Sequence, residues 1–162
     1  MKNKLVELLK KHNLTLGSIE SLTGGLFASI ITSVSGVSSV FKGSVVTYFT
    51  EIKEKVVGVK KETISKYGVI SKECALEMAT YGQRLLDTDV IVSFTGNAGP
   101  SVMENKEVGK VFIGIIVKEE VEVLELNLSG NRDEIRKECV EIALNKIFEK
   151  INRLFYKIRV IN

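Results

Sequence analysis

Short runs of β-branched and aromatic residues alternate along this chain with longer segments whose apolar residues recur at helical spacing. Predicted helices cover residues 3–12, 24–33, 50–58, 61–68, 72–87 and 131–155. Predicted strands cover residues 14–21, 43–49, 89–96, 109–117 and 122–130. The last two strands are expected to form a hairpin that turns at residues 118–122. This interleaving predicts an α/β fold, a three-layer α/β/α sandwich around a mixed, mostly parallel sheet of about five strands.

The predicted elements fit a single domain over residues 1–162. With 162 residues and 44% hydrophobic content, the chain can bury one adequate core and has little room for a second. The sequence contains no internal repeat, low-complexity tract or linker that would mark a domain boundary.

Charges of both signs are mixed along the sequence, with 23 basic and 20 acidic residues and a net charge of +3. This balance is typical of a soluble surface and argues only weakly for nucleic acid as a partner. No apolar run approaches the roughly 20 residues that a membrane span needs. The N-terminal segment MKNKLVELLKKHN has the pattern of an amphipathic helix rather than a signal peptide. We therefore expect a cytoplasmic protein without a membrane partner.

Histidine and cysteine are scarce in this sequence, which narrows the chemistry that it can support. The single histidine, His12, is expected at an exposed position after the first helix. The sequence therefore gives little support for a Ser-His-Asp or Cys-His enzyme. Cys74 and Cys139 lie in helical patterns and are predicted to be buried thiols rather than a disulfide. These residues offer no closed zinc site, and no segment has P-loop or dinucleotide-binding spacing.

The stretch SIESLTGG, residues 18–25, places a serine where a strand ends and a helix is expected to begin. A serine nucleophile without histidine needs another base, such as a lysine kept neutral by burial or a tyrosine that relays protons. Ser21 is the best-placed hydroxyl for this role, and the N–H groups of the following TGG could bind an anion or an oxyanion. The alternative is that Ser21 or Thr23 is simply the N-cap of the helix.

Tyr48 lies at the end of the predicted strand over 43–49, and Lys53 follows five residues later. A lysine beside two glutamates is typical of a solvated helix, and a tyrosine at a strand end is typical of packing. Spacing alone does not establish a catalytic pair here.

Four segments, taken in order along the chain, resemble a known family. They are ESLTGG (20–25), VVTYFTEIKEKVVGV (45–59), FTGNAGP (94–100) with VGKVFIGI (108–115), and GNRDEIR (130–136). Together they resemble the nicotinamide-nucleotide amidase family, which is also the C-terminal domain of the competence/damage-inducible protein CinA. The similarity extends from about residue 3 to about residue 150.

This resemblance implies a hydrolase that converts nicotinamide mononucleotide into nicotinate mononucleotide and ammonia, without a metal or another cofactor. By position it implies Ser21 as the nucleophile, Lys53 as the general base and Tyr48 as a proton relay or positioning group. It also implies a homo-oligomer and a fold similar to the anticodon-binding-domain architecture. Because the sequence lacks the N-terminal CinA domain, we expect a stand-alone form.

The resemblance further implies which residues surround the small-molecule nucleotide substrate. The implied substrate-binding residues are Glu20, Thr23, Gly24, Gly25, Thr95, Gly96, Gly99 and Arg132. Among them, Glu20 is expected to position the Ser–Lys pair. Arg132 is the candidate for the phosphate, because a guanidinium presents a fork of donors suited to that anion. The alternative is an exposed arginine at the start of the last helix.

The third segment departs from the pattern of that family. Asn97 stands where the family has isoleucine, residues 101–107 (SVMENKE) replace a glycine-rich stretch, and Glu107 replaces a proline. These changes fall in predicted pocket loops, while the three candidate catalytic residues are retained. The combination indicates a retained type of reaction and an altered pocket rim.

Two other functions stay open at this point. A catalytically silent nucleotide-binding or competence-related module would keep the fold and bind without turnover, and the missing loop glycines favour it. An RNA-binding domain is a third hypothesis, by analogy with the anticodon-binding fold. The mixed charges and the lack of a basic stripe with interleaved aromatic residues count against RNA.

Overall fold

Five strands form one sheet in the middle of the molecule. The computed structural model describes residues 1–161, and their side chains as far as Tyr156. The strands are β1 (Leu16–Glu20), β2 (Phe41–Val46), β3 (Val90–Gly96), β4 (Lys110–Val117) and β5 (Glu120–Asn127). Their order across the sheet is β2-β1-β3-β4-β5.

The sheet is mixed, as the sequence predicted. β1 runs parallel to both of its neighbours, β2 and β3, whereas β4 is antiparallel to β3 and β5 is antiparallel to β4. Four of the five strands therefore point the same way, and only β4 opposes them. The β4–β5 hairpin is also confirmed, although its turn is tighter than expected: it consists of Lys118 and Glu119, with Lys118 at φ +55°.

Helices cover both faces of the sheet. They are α1 (Lys2–Lys11), α2 (Leu26–Thr32), α3 (Thr50–Ile52), α4 (Lys61–Tyr67), α5 (Lys72–Leu86) and α6 (Arg132–Ile161). A 3₁₀ turn covers Val37–Ser39, and α3 continues directly into a π-helical turn over Lys53–Val57. Among the described residues, no helix is long and apolar enough to span a membrane.

Two hydrophobic cores, one on each side of the sheet, hold the three layers together. The first core packs α1, α2 and α6 against the face of β3 that carries Val92 and Phe94. The second packs α5 and the segment before it against the opposite face, which includes Ile19 and Ile91. Successive residues of a strand face opposite sides, so β3 supplies both cores. The predicted three-layer sandwich is confirmed; residue 162 of the predicted single domain lies outside the described residues.

The topology brings the segments that follow β1, β2 and β3 to the same end of the sheet. Because β1, β2 and β3 are parallel, their carboxyl ends at Glu20, Val46 and Gly96 lie side by side. The strand order also reverses at β1, since β2 lies on one side of it and β3 on the other. In open α/β sheets, ligands bind at such a reversal, beyond the carboxyl ends of the strands. The candidate site should therefore lie just after β1.

Candidate active site

The serine turn, residues 21–25, joins β1 to α2. Its first residue is fixed to the neighbouring strand, because the N–H of Ser21 donates to the carbonyl of Phe94 at 3.0 Å. The carbonyl of Ser21 accepts the N–H of Gly24 at 3.0 Å, which closes the turn. Gly24 and Gly25 have φ of +57° and +95°, a left-handed conformation that glycine adopts without strain. The turn thus presents Ser21 in one defined position.

Lys53 extends from the start of the π-helical turn to the serine turn. Its Nζ lies 3.0 Å from the Oγ of Ser21 and donates to the carbonyl of Thr47 at 2.7 Å. The residue is only 2% exposed, so the interpretation of Lys53 as a solvated helix residue is wrong. Short π-helical turns often occur at functional sites, where they re-aim a side chain.

Burial lowers the pKa of Lys53 from its ordinary value of 10.5, because the charged ammonium loses its hydration. Cys74 and Glu104 oppose this effect electrostatically, but burial is the larger cause. Both hydrogen-bond partners of the amine, Ser21 Oγ and the Thr47 carbonyl, are uncharged. The site therefore shifts the amine towards its neutral form, which is the form that a general base requires.

The carboxylate of Glu20 is fully buried and points at the start of α2. Its oxygens accept hydrogen bonds from the N–H groups of Gly25, Phe27 and Ala28 (2.9, 3.1 and 2.9 Å) and from the hydroxyls of Ser44 and Ser18 (3.1 and 3.3 Å). A carboxylate is favourable there because the first N–H groups of a helix lack intrahelical partners. Glu20 therefore anchors the turn that carries Ser21, while its implied contact with the substrate stays a prediction.

The N–H groups of the serine turn differ from expectation. Those of Gly24 and Gly25 donate to Ser21 and Glu20, so neither is available for an oxyanion. Within the described part of the chain, the N–H groups of Leu22 and Thr23 donate to no protein acceptor. The Thr23 hydroxyl is buried without a partner. Leu22 and Thr23, rather than the two glycines, offer the free donors next to Ser21.

The end of β3 forms the second wall of the site. Thr95 is buried and its hydroxyl donates to the carbonyl of Val69 at 2.6 Å, which fixes this wall; its implied contact with the substrate stays a prediction. A Cβ at Gly96 would lie 2.5 Å from the carbonyl oxygen of Lys110, which explains glycine at this position. Gly96 and Gly99 both line the cavity between this wall and the serine turn.

Tyr48 and Arg132 lie together on the rim. Arg132 donates to the Tyr48 hydroxyl through one Nη and to the Gly99 carbonyl through the other, both at 2.6 Å. Tyr48 is 60% exposed and follows β2 instead of ending a strand. The hydroxyl of Tyr48 bonds to Arg132, and its role as a proton relay or positioning group stays a prediction.

A cavity of about 140 Å³ connects these groups. It is lined by Ser21, Leu22, Tyr48, Gly96, Asn97, Ala98, Gly99, Ser101, Met103 and Arg132. Cavities of similar volume in other proteins hold one benzene ring. The interior therefore suits a single six-membered ring, and anything attached to that ring would extend to the rim.

The loop over residues 97–107 is held by hydrogen bonds of its own side chains. The amide of Asn97 donates to the carbonyls of Met103 and Lys106 at 3.1 and 2.8 Å and accepts the N–H of Met103 at 3.1 Å. Glu104 accepts the N–H groups of Val69 and Ile70 at 2.6 and 3.0 Å. Asn97 and Glu104 thus brace the rim of the cavity.

Arg136 is a residue of the site that sequence reasoning missed. It lies one helical turn after Arg132 on α6, and its guanidinium donates to the carbonyls of Leu22 and Thr23 at 3.1 and 2.8 Å. The four-residue spacing of the two arginines in GNRDEIR places them on one helix face and was the available signal.

Other reactive side chains lie apart from this cavity. Cys74 and Cys139 are buried and free, as predicted, and burial raises the pKa of each thiol to about 12. His12 stacks on Phe155 with ring centroids 3.7 Å apart. Among the described residues, no group of three or more His, Cys, Asp or Glu side chains is arranged to hold a metal ion.

The fold class of this protein is a three-layer α/β/α domain, in which the buried Lys53 lies next to Ser21 just after β1. Residues 1–151 match the family model of the CinA C-terminal domain, and the chain belongs to this family. It is 45% identical over 152 residues to a Bacillus cereus protein and 44% identical over 153 residues to one from Bacillus cytotoxicus. Both relatives are named as competence-damage inducible.

These relatives are longer than the present chain. The alignments cover 93% and 94% of this chain but 37% of each relative. Among solved structures, a CinA superfamily protein from Klebsiella pneumoniae 700603 matches with a TM-score of 0.91, 24% identity and coverage of 94% and 96% of the two chains. The CihA protein of Agrobacterium tumefaciens matches with a TM-score of 0.88, 30% identity and 93% of each chain. Both matches support the fold.

Replacing Glu20 by glutamine should lower the free energy of unfolding by about 2 to 4 kcal/mol, because an amide NH₂ would face N–H donors and charge-assisted bonds would be lost. Urea unfolding of Glu20→Gln beside wild type measures this. Glu119→Gln, at the exposed hairpin turn, is the matched control and should change little. Equal stability of Glu20→Gln and wild type would contradict the anchoring role.

Lys53→Met should change how stability depends on pH. The pKa of Lys53 is lower in the folded state than in the unfolded state. Between the folded-state pKa and pH 10.5, the unfolded chain therefore binds more protons at this residue than the folded chain. The free energy of unfolding of wild type should therefore rise with pH in this window relative to the variant. Urea unfolding of both proteins from about pH 7 to about pH 10 measures the difference. Parallel curves, or a wild type that loses stability relative to the variant, would show that burial does not depress this pKa.

Proposed function

We propose that this chain is a Ser–Lys amidohydrolase that hydrolyses the carboxamide of nicotinamide mononucleotide to nicotinate mononucleotide and ammonia. The observation that carries the proposal is the pair itself: a buried amine with a lowered pKa, 3.0 Å from a serine hydroxyl just after the carboxyl end of β1. Membership of the CinA C-terminal domain family is consistent with it.

In the first half of the reaction, the neutral amine of Lys53 accepts the proton of the Ser21 hydroxyl. The Ser21 oxygen forms a bond to the carboxamide carbon, and the electron pair of the C=O bond moves to its oxygen. Lys53 then gives the proton to the nitrogen as the C–N bond breaks, and ammonia leaves. Because a buried ammonium is poorly solvated, Lys53 returns this proton readily.

The second half regenerates the serine. Water attacks the acyl ester on Ser21 while Lys53 accepts a proton from it, and the ester C–O bond then breaks as Ser21 regains its proton. The Thr47 carbonyl holds the amine throughout, since its hydrogen bond with Nζ leaves the lone pair of the neutral amine free to face Ser21. The product is the nicotinate carboxylate.

Cavity size and the rim support the substrate assignment. The interior of about 140 Å³ suits one pyridine ring next to Ser21. Arg132 and Tyr48 lie together on the rim, and a guanidinium pairs well with phosphate oxygens, so we assign Arg132 to the 5′-phosphate of an attached ribose. No cofactor takes part in this scheme, and the homo-oligomer and cytoplasmic location implied by the sequence stay predictions.

A second candidate function is a catalytically silent nucleotide-binding module. The loop over 97–107 favours it: Asn97 and Glu104 brace this loop, and the resemblance implied a glycine-rich stretch at residues 101–107. The curated relatives are named for competence and damage induction, not for an enzymatic activity. This module would bind the mononucleotide and leave its amide intact.

Ammonia release from nicotinamide mononucleotide separates the two candidates. Wild type should turn over in EDTA, whereas Ser21→Ala and Lys53→Met should lower kcat by about 10²-fold to 10⁴-fold or more. Lys55→Met, an exposed lysine of the same turn, is the matched control and should retain activity. Arg132→Met should raise KM by about tenfold or more, since a charge-assisted contact is lost.

Each outcome of this assay has a defined meaning. Binding of the mononucleotide in a thermal-shift assay without ammonia release would replace the amidase by the silent module. Turnover that survives both Ser21→Ala and Lys53→Met would show that another group performs the chemistry. A salt-dependent shift of RNA on a native gel would instead support the nucleic-acid hypothesis.

A further inference from the structure

Arg136 reaches from α6 into the serine turn. Its Nε donates to the Leu22 carbonyl at 3.1 Å and one Nη donates to the Thr23 carbonyl at 2.8 Å. The other Nη contacts Asp133 on the same helix at 3.3 Å. The side chain is 25% exposed, so most of it is enclosed between the helix and the turn.

Planarity of the peptide bond gives these contacts a consequence for the site. In a trans peptide, the C=O of one residue and the N–H of the next point in opposite directions. Because the Leu22 carbonyl points at Arg136, the Thr23 N–H points away from the arginine. This N–H and that of Leu22 are the two donors of the turn without a protein acceptor among the described residues. Leu22 also lines the cavity beside Ser21.

We propose that Arg136 is a positioning residue: it fixes and polarises the Leu22–Thr23 peptide, whose N–H then stabilises the oxyanion that forms when Ser21 attacks the carboxamide. This inference rests on the proposed amidase function. A cation on the carbonyl of a peptide strengthens the N–H of the same peptide as a donor, since hydrogen bonds in a chain polarise one another. Donors held in place before the reaction stabilise developing charge most effectively.

Two further observations distinguish this positioning role of Arg136 from a role in stabilising the fold and from a role in substrate binding. The serine turn has other anchors, because Glu20 holds its end and the Phe94 carbonyl holds its start. Loss of Arg136 should therefore leave a folded turn with a freer central peptide. Unlike exposed Arg132, Arg136 already has all three of its nitrogens engaged, two of them with carbonyls of the turn. It is thus not a free cation for the phosphate.

Steady-state kinetics of Arg136→Met and Arg136→Lys on nicotinamide mononucleotide test this role. Loss of one complete oxyanion donor costs about 10²-fold to 10³-fold in kcat, so misplacing a donor should cost about 10-fold to 10²-fold. We expect KM to stay within about twofold, because the donor acts on the transition state. Arg136→Lys should recover part of kcat, since one ammonium can still reach a carbonyl. Arg84→Met, an exposed arginine on α5, is the control.

A binding measurement completes the test. In a Ser21→Ala background, adding Arg136→Met should leave the affinity for the mononucleotide unchanged by calorimetry. An unchanged kcat, or a raised KM at constant kcat, would overturn the positioning role. If Arg136→Met does not fold, Arg136→Gln carries the test: a lowered kcat at normal KM supports the proposal, and a normal kcat in the folded variant overturns it.

Failure of the amidase function is distinguishable from failure of this inference. If wild type releases no ammonia, the substrate assignment fails, and p-nitrophenyl acetate then replaces the mononucleotide as the probe. Acylation of Ser21 by this ester forms the same kind of oxyanion and releases p-nitrophenolate. Slower acylation of Arg136→Met than of wild type would support the positioning role. Equal rates, or no acylation of Ser21 at all, would overturn it.

Discussion

The burial of one amine is the constraint on which the rest of the site depends. Lys53 is buried near the carboxyl ends of β1 and β2 and loses its hydration there. Its hydrogen-bond partners, the Ser21 hydroxyl and the Thr47 carbonyl, are both uncharged. An ammonium in such surroundings is disfavoured, so the site lowers the pKa of Lys53. The parallel arrangement of β1 and β2 and the π-helical turn after α3 are what bring this amine to the serine.

The second requirement is a rigid serine turn, which the charged side chains of Glu20 and Arg136 hold in place. Glu20 occupies the N-terminus of α2, where an anionic ligand would otherwise be favoured, and so converts a potential anion site into an anchor. Arg136 holds the middle of the same turn from the opposite side through two carbonyls. The buried carboxylate and the enclosed guanidinium together hold the turn so that Ser21 and Leu22 line the cavity.

The fold was largely predictable from the sequence, because periods of two and of 3.6 residues separate strands from helices. The chemistry of the site was less so. Ser21 and Lys53 are 32 positions apart in the sequence and are brought together by the parallel topology of the sheet. Their spacing along the chain does not predict this contact. The alternation of strand faces puts Glu20 on the side of Ser18 and away from Ile19, but its contacts with the start of α2 were not evident from the sequence. The family resemblance supplied the Ser–Lys pair, which the residues alone left open.

Direct titration of Lys53 tests the central claim most simply. Lysines labelled with ¹³C at Cε give a resonance that follows protonation of each amine, and the spectrum of Lys53→Met identifies the one that belongs to Lys53. We predict a midpoint below 10.5, because burial disfavours the charged amine. A midpoint at or above 10.5 would contradict it, because a permanently charged lysine could not take the proton of Ser21.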